Sequence, residues 1–165
     1  MIKIYSDITI VRGVVAYAIQ VLHLNKPRLQ ETGLFESGGA HGGTSMFEYE
    51  ATRRGIELVT AAVREHRLPR QPVRIFTDMD GMRRMVVRQL DAGRGRLLPT
   101  ANPRMSEIVH RLTGAWAELQ VLAGKHPVTI EFVRCRRNHK YYRLCHRLCR
   151  ERAYRHLDEE QRCAA

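Results

Sequence analysis

Residues 2–22 read IKIYSDITIVRGVVAYAIQVL, and they define the start of the predicted fold. Residues 2–11 are rich in β-branched side chains and predict a strand. Arg12-Gly13 is typical of a turn, and residues 14–22 predict a second strand. Pro27, followed by RLQETGLFE, indicates a third, weaker strand. Three strands in sequence joined by short turns predict an antiparallel meander.

The rest of the chain alternates helical and strand patterns. From Phe47 to about Glu65 the apolar side chains recur at helical spacing, and Pro69 and Pro72 follow. The further predicted elements are strand 73–77, helices 80–91 and 104–123, strand 128–134 and a last helix over 138–158. The order β-β-β-α-β-α-α-β-α predicts an α/β fold. Its mixed five-stranded sheet, three antiparallel strands plus two parallel ones, is flanked by helices in a single domain over 1–165.

Charge and composition narrow the class of partner. The chain carries 28 Lys and Arg against 17 Asp and Glu, a formal net charge of +11, which favours a polyanion such as nucleic acid. No apolar run is long enough to span a bilayer, so no membrane partner is expected. The first eleven residues lack the layout of a signal peptide. Four cysteines confined to the last fifth of the chain are atypical of a disulfide scaffold and favour the cytoplasm.

Three acidic residues occupy positions from which they can converge. Asp7 lies within the first strand, Glu48 lies in the first turn of the first helix, and Asp78 directly follows VRIFT. Oxygen ligands of this kind suit Mg²⁺, and two ions about 3.5–4 Å apart can promote phosphodiester hydrolysis. Two of the acids also have a ready structural explanation, and Asp7 is the hardest of the three to explain in that way. Glu48 suits a helix N-terminus, and Asp78 could cap the next helix, whereas Asp is disfavoured in strands such as that of Asp7.

Four motifs in this order resemble those of ribonuclease H-like proteins. FEYEATRRGIEL at 47–58 is similar to the first-helix motif of that family. IYSD at 4–7 and IFTD at 75–78 resemble its first-strand and fourth-strand motifs, both of which end in Asp. CHRLCRERA at 145–153 resembles the helix near the family's C-terminus. The resemblance therefore spans nearly the whole chain and implies the fold predicted above.

The resemblance also implies a function and a set of site residues. It implies metal-dependent hydrolysis of nucleic acid, by default the RNA strand of RNA/DNA hybrids, with two Mg²⁺ or Mn²⁺ ions. Three ligands map onto Asp7, Glu48 and Asp78, and the fourth position, usually Asp, falls on His146. Some junction resolvases resemble this chain in having His there, so structured DNA is an alternative substrate. A non-catalytic nucleic-acid-binding module is a third hypothesis.

The segment from Arg134 to Arg155 carries nine Lys or Arg and one acid. If it is helical, five of the basic residues form a stripe that could follow a phosphate backbone. These residues are Arg136, Lys140, Arg143, Arg147 and Arg150. The interleaved tyrosines, Tyr141, Tyr142 and Tyr154, either stack on unpaired bases or pack on the sheet.

Some residues suggest competing roles. Cys135, His139, Cys145 and Cys149 could hold zinc, although small buried thiols are the simpler interpretation. His41 and His139 are candidates for moving protons near the site. Either Thr44 or Ser45 is expected to cap the first helix, and Asp80 is expected to cap the second.

Overall fold

The computed structural model describes residues 1–36, 43–93, 96–100, 102–133 and 139–164. Its strands and helices follow the predicted order. The strands are β1 (Ile2–Val11), β2 (Val14–His23), β3 (Lys26–Phe35), β4 (Val73–Thr77) and β5 (Val128–Phe132). The helices are α1 (Thr44–Arg64), α2 (Met82–Ala92), α3 (Pro103–Ala123) and α4 (Lys140–Cys163).

The five strands form one mixed sheet in the order β3-β2-β1-β4-β5. β1 pairs antiparallel with β2, and β2 pairs antiparallel with β3. β4 pairs parallel with β1 on one side and with β5 on the other. The predicted α/β fold with a three-stranded meander and two parallel strands is therefore confirmed.

Three local predictions differ from the structure. β3 is a full ten-residue strand that begins before Pro27. It lies at the sheet edge, where proline and polar side chains are tolerated because only one neighbour needs hydrogen bonds. Neither Thr44 nor Ser45 caps α1, since the cap residue is Gly43 without a side-chain hydrogen bond. Asp80 does not cap α2 either, because the cap is Gly81 at φ 90°.

The sheet has two unlike faces. One packs against α1 and α3 through a large apolar core that includes Ile4, Ile75 and Leu112. The other packs against α4 through a smaller cluster rich in alanine and cysteine, including Ala18 and Cys145. Side chains alternate between these faces along β1, so Ile4 and Ile8 face α1 while Tyr5 faces α4.

Two close contacts fix α1 across β1. A Cβ added to Gly55 would lie 2.8 Å from Ile4 Cγ2, so glycine permits this close approach of helix and strand. One turn earlier in α1, Thr52 Oγ1 lies 3.1 Å from Ser6 Oγ, and both residues are buried. Residues nearer the N-terminus of α1 therefore contact residues further along β1: Gly55 lies beside Ile4, and Thr52 lies beside Ser6. Among the described residues, no helix is long and apolar enough to cross a membrane.

Candidate metal and nucleic-acid site

Asp7 is a charged residue in the middle of a central strand. Its side chain is fully buried. It continues the face of β1 on which Tyr5 lies, towards α4, and its partner on β2 is Ala18. From α4, His146 places Nδ1 3.1 Å from Asp7 Oδ2, joining residues 139 positions apart in the sequence. The fold thus unites two of the predicted site residues, Asp7 and His146.

The strand register relates the position of Asp78 to that of Asp7. In the parallel ladder Ile2 pairs with Val73, and the pairing runs in step to Tyr5 and Phe76. Two further residues in the same register lead to Asp7 on β1 and to Asp78, one residue after the end of β4. The recorded pairs stop at Tyr5 and Phe76, and only an extension of the same register by two residues, at a strand spacing of about 4.8 Å, would set the two acids side by side.

Glu48 on α1 lies towards the part of β1 that contains Ser6 and Asp7. It lies one turn before Thr52, the residue that contacts Ser6, and only 4 % of it is exposed. Its negative charge and that of Asp7 both act on the thiol of Cys149 in α4. The carboxylates of Glu48 and Asp7 are therefore electrostatic neighbours of one buried group.

Cys149 lies in the same cluster as Asp7 and His146, a position that the sequence patterns did not predict. One ligand atom each from Asp7, His146 and Cys149 lie within 4.8 Å of one another. Burial raises the pKa of the Cys149 thiol to about 12, and the charges of Asp7 and Glu48 act in the same direction. The signal in the sequence is the spacing from His146 to Cys149, because residues three apart share a helix face.

The zinc arrangement suggested by the sequence does not form among the described residues. Cys135 lies outside them, and no group of possible metal ligands within them contains His139 or Cys145. Cys145 instead donates a hydrogen bond to the Tyr5 carbonyl at 3.7 Å, and the His139 ring lies against Tyr5 and Phe76. Cys145 and Cys149 are fully buried, which agrees with small thiols packed on the sheet.

The basic residues of α4 surround His146 on its outer surface. Lys140, Arg143, Arg147 and Arg150 are exposed, and His146 shares that surface with about half of its side chain exposed. Arg136 and His41 lie outside the described residues. Of the tyrosines, Tyr142 is buried on the sheet and Tyr141 packs against the same cluster, whereas Tyr154 is 43 % exposed.

A second basic feature lies beyond the end of β4. A cleft of about 620 Å³ is lined by Thr77 and Asp80, and by three arginines of α2: Arg83, Arg84 and Arg88. Arg84 also acts electrostatically on Tyr49 in the first turns of α1. The carboxyl end of β4 is therefore flanked by guanidinium groups that the sequence analysis did not single out.

Comparisons with known proteins extend these observations. No family model and no curated protein sequence matches the chain. A crystal structure of LC11-RNase H1 in complex with an RNA/DNA hybrid is similar, with a TM-score of 0.64 and 14 % identity over 95 % of this chain and 99 % of that chain. The N-terminal ribonuclease H domain of a Mycobacterium tuberculosis protein, solved as a fusion with maltose-binding protein, has a TM-score of 0.57 and 14 % identity, covering 99 % of this chain and 98 % of that chain. Together with the sheet order and the placement of the helices, these similarities identify the fold of the chain as ribonuclease H-like.

Proposed function

We propose that the chain, acting as one domain over 1–165, is a metal-dependent endonuclease whose substrate is the RNA strand of an RNA/DNA hybrid. One observation carries the proposal. The carboxylate of Asp7, fully buried in the central strand β1, lies 3.1 Å from the ring of His146, a second potential metal ligand. Burying a carboxylate is costly, and the partner that offsets the cost here, the His146 ring, is itself a type of side chain that binds metal ions.

The chemistry of these residues suits divalent cations. Asp7, Glu48 and Asp78 offer the oxygen ligands that Mg²⁺ and Mn²⁺ prefer, and His146 adds a ring nitrogen. Two ions are expected, as the ribonuclease H resemblance implies. Bound there, such ions would make water more acidic and neutralise charge on the reacting phosphate.

The protein's own groups have separate tasks in this proposal. The sheet and α4 hold the Asp7 carboxylate away from bulk water, which strengthens its attraction for cations. The contact with Asp7 orients the His146 ring through Nδ1, so Nε2 is the atom available on the solvent side. With its one hydrogen on Nδ1 donated to Asp7, a neutral ring offers the Nε2 lone pair, which could bind a cation or accept a hydrogen bond from water.

The exposed basic residues would bind the phosphate backbone. On α4 these are Lys140, Arg143, Arg147 and Arg150. Arg136, which the sequence also predicts to bind phosphate, lies outside the described residues. The arginines of α2 that line the cleft beyond β4 are further candidates for such contacts. Phosphate contacts of this kind release counterions, so binding should weaken steeply with salt.

A cleavage panel with Mg²⁺ and Mn²⁺ tests the proposal on hybrid, duplex DNA, single strands and a four-way junction. We expect hybrid cleavage by the wild type and a loss of at least about 100-fold in Asp7→Asn, with binding retained, because the change removes a ligand charge without changing shape. Asp158→Asn, an exposed residue of α4, is the matched control and should cleave normally. Junction cleavage alone would replace hybrid by structured DNA as the substrate. Salt-dependent binding without cleavage would indicate that the chain is a non-catalytic nucleic-acid-binding module.

A second experiment tests the basic surface of α4. Arg143→Ala with Arg147→Ala should weaken binding to every sequence and reduce the slope of log K against log salt by about 1–2. Arg64→Ala, on α1 in an ion pair with Glu118, is the control and should leave the slope unchanged. A slope identical to wild type in the double variant would show that this surface faces away from the substrate.

A further inference from the structure

The cluster around Asp7 contains one potential metal ligand, the thiol of Cys149, that the proposed hydrolysis does not use. Oxygen from Asp7, nitrogen from His146 and sulfur from Cys149 lie within 4.8 Å of one another. A tetrahedral Zn²⁺ ion with bonds of about 2.0–2.3 Å holds its ligand atoms about 3.3–3.8 Å apart. The Asp7 and His146 atoms, at 3.1 Å, are already close to that separation.

The local structure fixes these donors together. His146 and Cys149 lie one turn apart on α4, and the Cys149 thiol donates a hydrogen bond to the His146 carbonyl at 3.2 Å. Asp7 is fixed in the paired part of β1 and β2. The three ligand atoms therefore come from two regular parts of the fold, α4 and the β1–β2 pair, and lie within 4.8 Å of one another.

We propose that Asp7, His146 and Cys149 form a Zn²⁺ site that competes with harder cations for Asp7. Thiolate selects zinc over Mg²⁺, and a carboxylate, an imidazole and a thiolate are all established types of zinc ligand. Zinc binding would release the thiol proton of Cys149 to solvent, and the His146 ring, bound through Nδ1, would carry its one proton on Nε2 instead. His146 is about half exposed, so water can reach its side of the cluster, whereas Asp7 and Cys149 are fully buried.

The charges around the thiol favour a cation there. The same carboxylates that oppose ionisation of Cys149, those of Asp7 and Glu48, attract a divalent ion. The cost of forming a buried thiolate is thus offset by the ion that the thiolate binds. Zinc binding does not require hydrolysis. Only the consequence that Zn²⁺ inhibits cleavage by occupying Asp7 rests on the proposed function.

Cobalt absorption tests the site without nucleic acid. Co²⁺ added to the full chain should produce a thiolate-to-metal charge-transfer band, and Zn²⁺ should remove the band by displacing Co²⁺. In Cys149→Ser the band should be lost, and Zn²⁺ affinity measured by calorimetry should fall by more than about 10-fold, since even the loss of an outer-shell partner costs that much. Cys145→Ser and Cys163→Ser, a buried and an exposed thiol outside the cluster, are the controls and should retain the band.

Two results would overturn the assignment. One is the absence of a charge-transfer band in the wild type, and the other is a band of unchanged strength in Cys149→Ser. Cys149→Ala provides a second variant if the serine disturbs folding, and circular dichroism checks that each variant is folded. Inhibition of cleavage by Zn²⁺ is measured separately, so loss of the cobalt band leaves hydrolysis untouched and absence of hydrolysis leaves the zinc site untouched.

Discussion

The two faces of the central sheet differ in what they bury. The face towards α1 and α3 covers a large apolar core, in which Leu112 and Ile75 are fully buried. The face towards α4 uses small side chains such as Ala18 and Ala153, and it also accommodates the carboxylate of Asp7. The first face supplies most of the hydrophobic stabilisation, whereas the second lets a helix approach closely enough to reach a buried charge.

This difference separates stability from function. Asp7 and its β2 partner Ala18 lie side by side, and the small alanine leaves room for the groups of α4. His146 and Cys149 occupy that room from the helix side. Substitutions in the apolar core under α1 and α3 should therefore change mainly the free energy of unfolding, while those under α4 should also change the site. Glu48, which α1 contributes to the proposed site, is the exception on the first face.

The largest expected effect on stability comes from a cavity in the apolar face. Leu112→Ala should lower the free energy of unfolding by about 2–5 kcal/mol, since a fully buried leucine is removed from α3. Urea unfolding measures the loss, and the metal affinity of the folded protein should be unchanged. Val121→Ala, an exposed position on the same helix, should cost less than about 0.5 kcal/mol. A change in metal affinity in Leu112→Ala would show that the faces are coupled.

A smaller loss of stability is expected from overpacking the α4 face. Ala153→Leu should cost about 1–3 kcal/mol, because the added atoms have no space at a fully buried position. It should also move α4 away from β1 and shift the NMR signals of the His146 ring. Glu159→Leu adds the same side chain at an exposed position of α4 and is the control. Unchanged His146 signals in a destabilised Ala153→Leu would contradict the proposed separation of roles.

The buried hydroxyl pair of Ser6 and Thr52 tests how strongly α1 is held on β1. Ser6→Ala and Thr52→Ala should each cost about 1 kcal/mol, since each leaves the other hydroxyl without its buried partner. The double variant should cost less than the sum of the two, and a double-mutant cycle by urea unfolding measures the coupling. Additive losses would show that the 3.1 Å contact contributes little to holding α1.

The sequence predicts the sheet well because its signals are local. β-branched runs and helical spacing mark the elements, and parallel strands require the helical crossovers that the chain supplies. Asp7 stood out because strands disfavour aspartate. β3 was harder to predict, since an edge strand that pairs on one side has few apolar side chains.

The site was less predictable, because it depends on distances across the chain. Its pairing of Asp7 with His146 rests on how closely α4 packs on β1, which no local pattern encodes. Cys149 illustrates the gap. A buried thiol and a metal ligand have the same sequence signature, and only the three-dimensional cluster distinguishes them.

The smallest expected effect concerns the ion pair that joins the two parallel strands at the sheet edge. Arg74 on β4 donates two hydrogen bonds to Glu131 on β5. These bonds hold the pKa of Glu131 below its usual value, although burial acts in the opposite direction. Because the folded-state pKa is lowered, the ionised carboxylate stabilises the fold above the unfolded-state pKa of about 4.3 and loses that effect as the pH falls.

Glu131→Gln should therefore cost about 0.2–1 kcal/mol at pH 7, as both side chains are partly exposed. The difference from wild type should shrink as the pH falls through the titration of Glu131, as measured by urea unfolding at a series of pH values. Glu159→Gln removes the same charge from an exposed site on α4, so it isolates the effect of net charge. A difference that stays constant down to acid pH would mean that the Arg74 bonds contribute no more to strand pairing than neutral hydrogen bonds do. The pairing of β4 with β5 would then be stabilised by backbone hydrogen bonds and apolar packing alone.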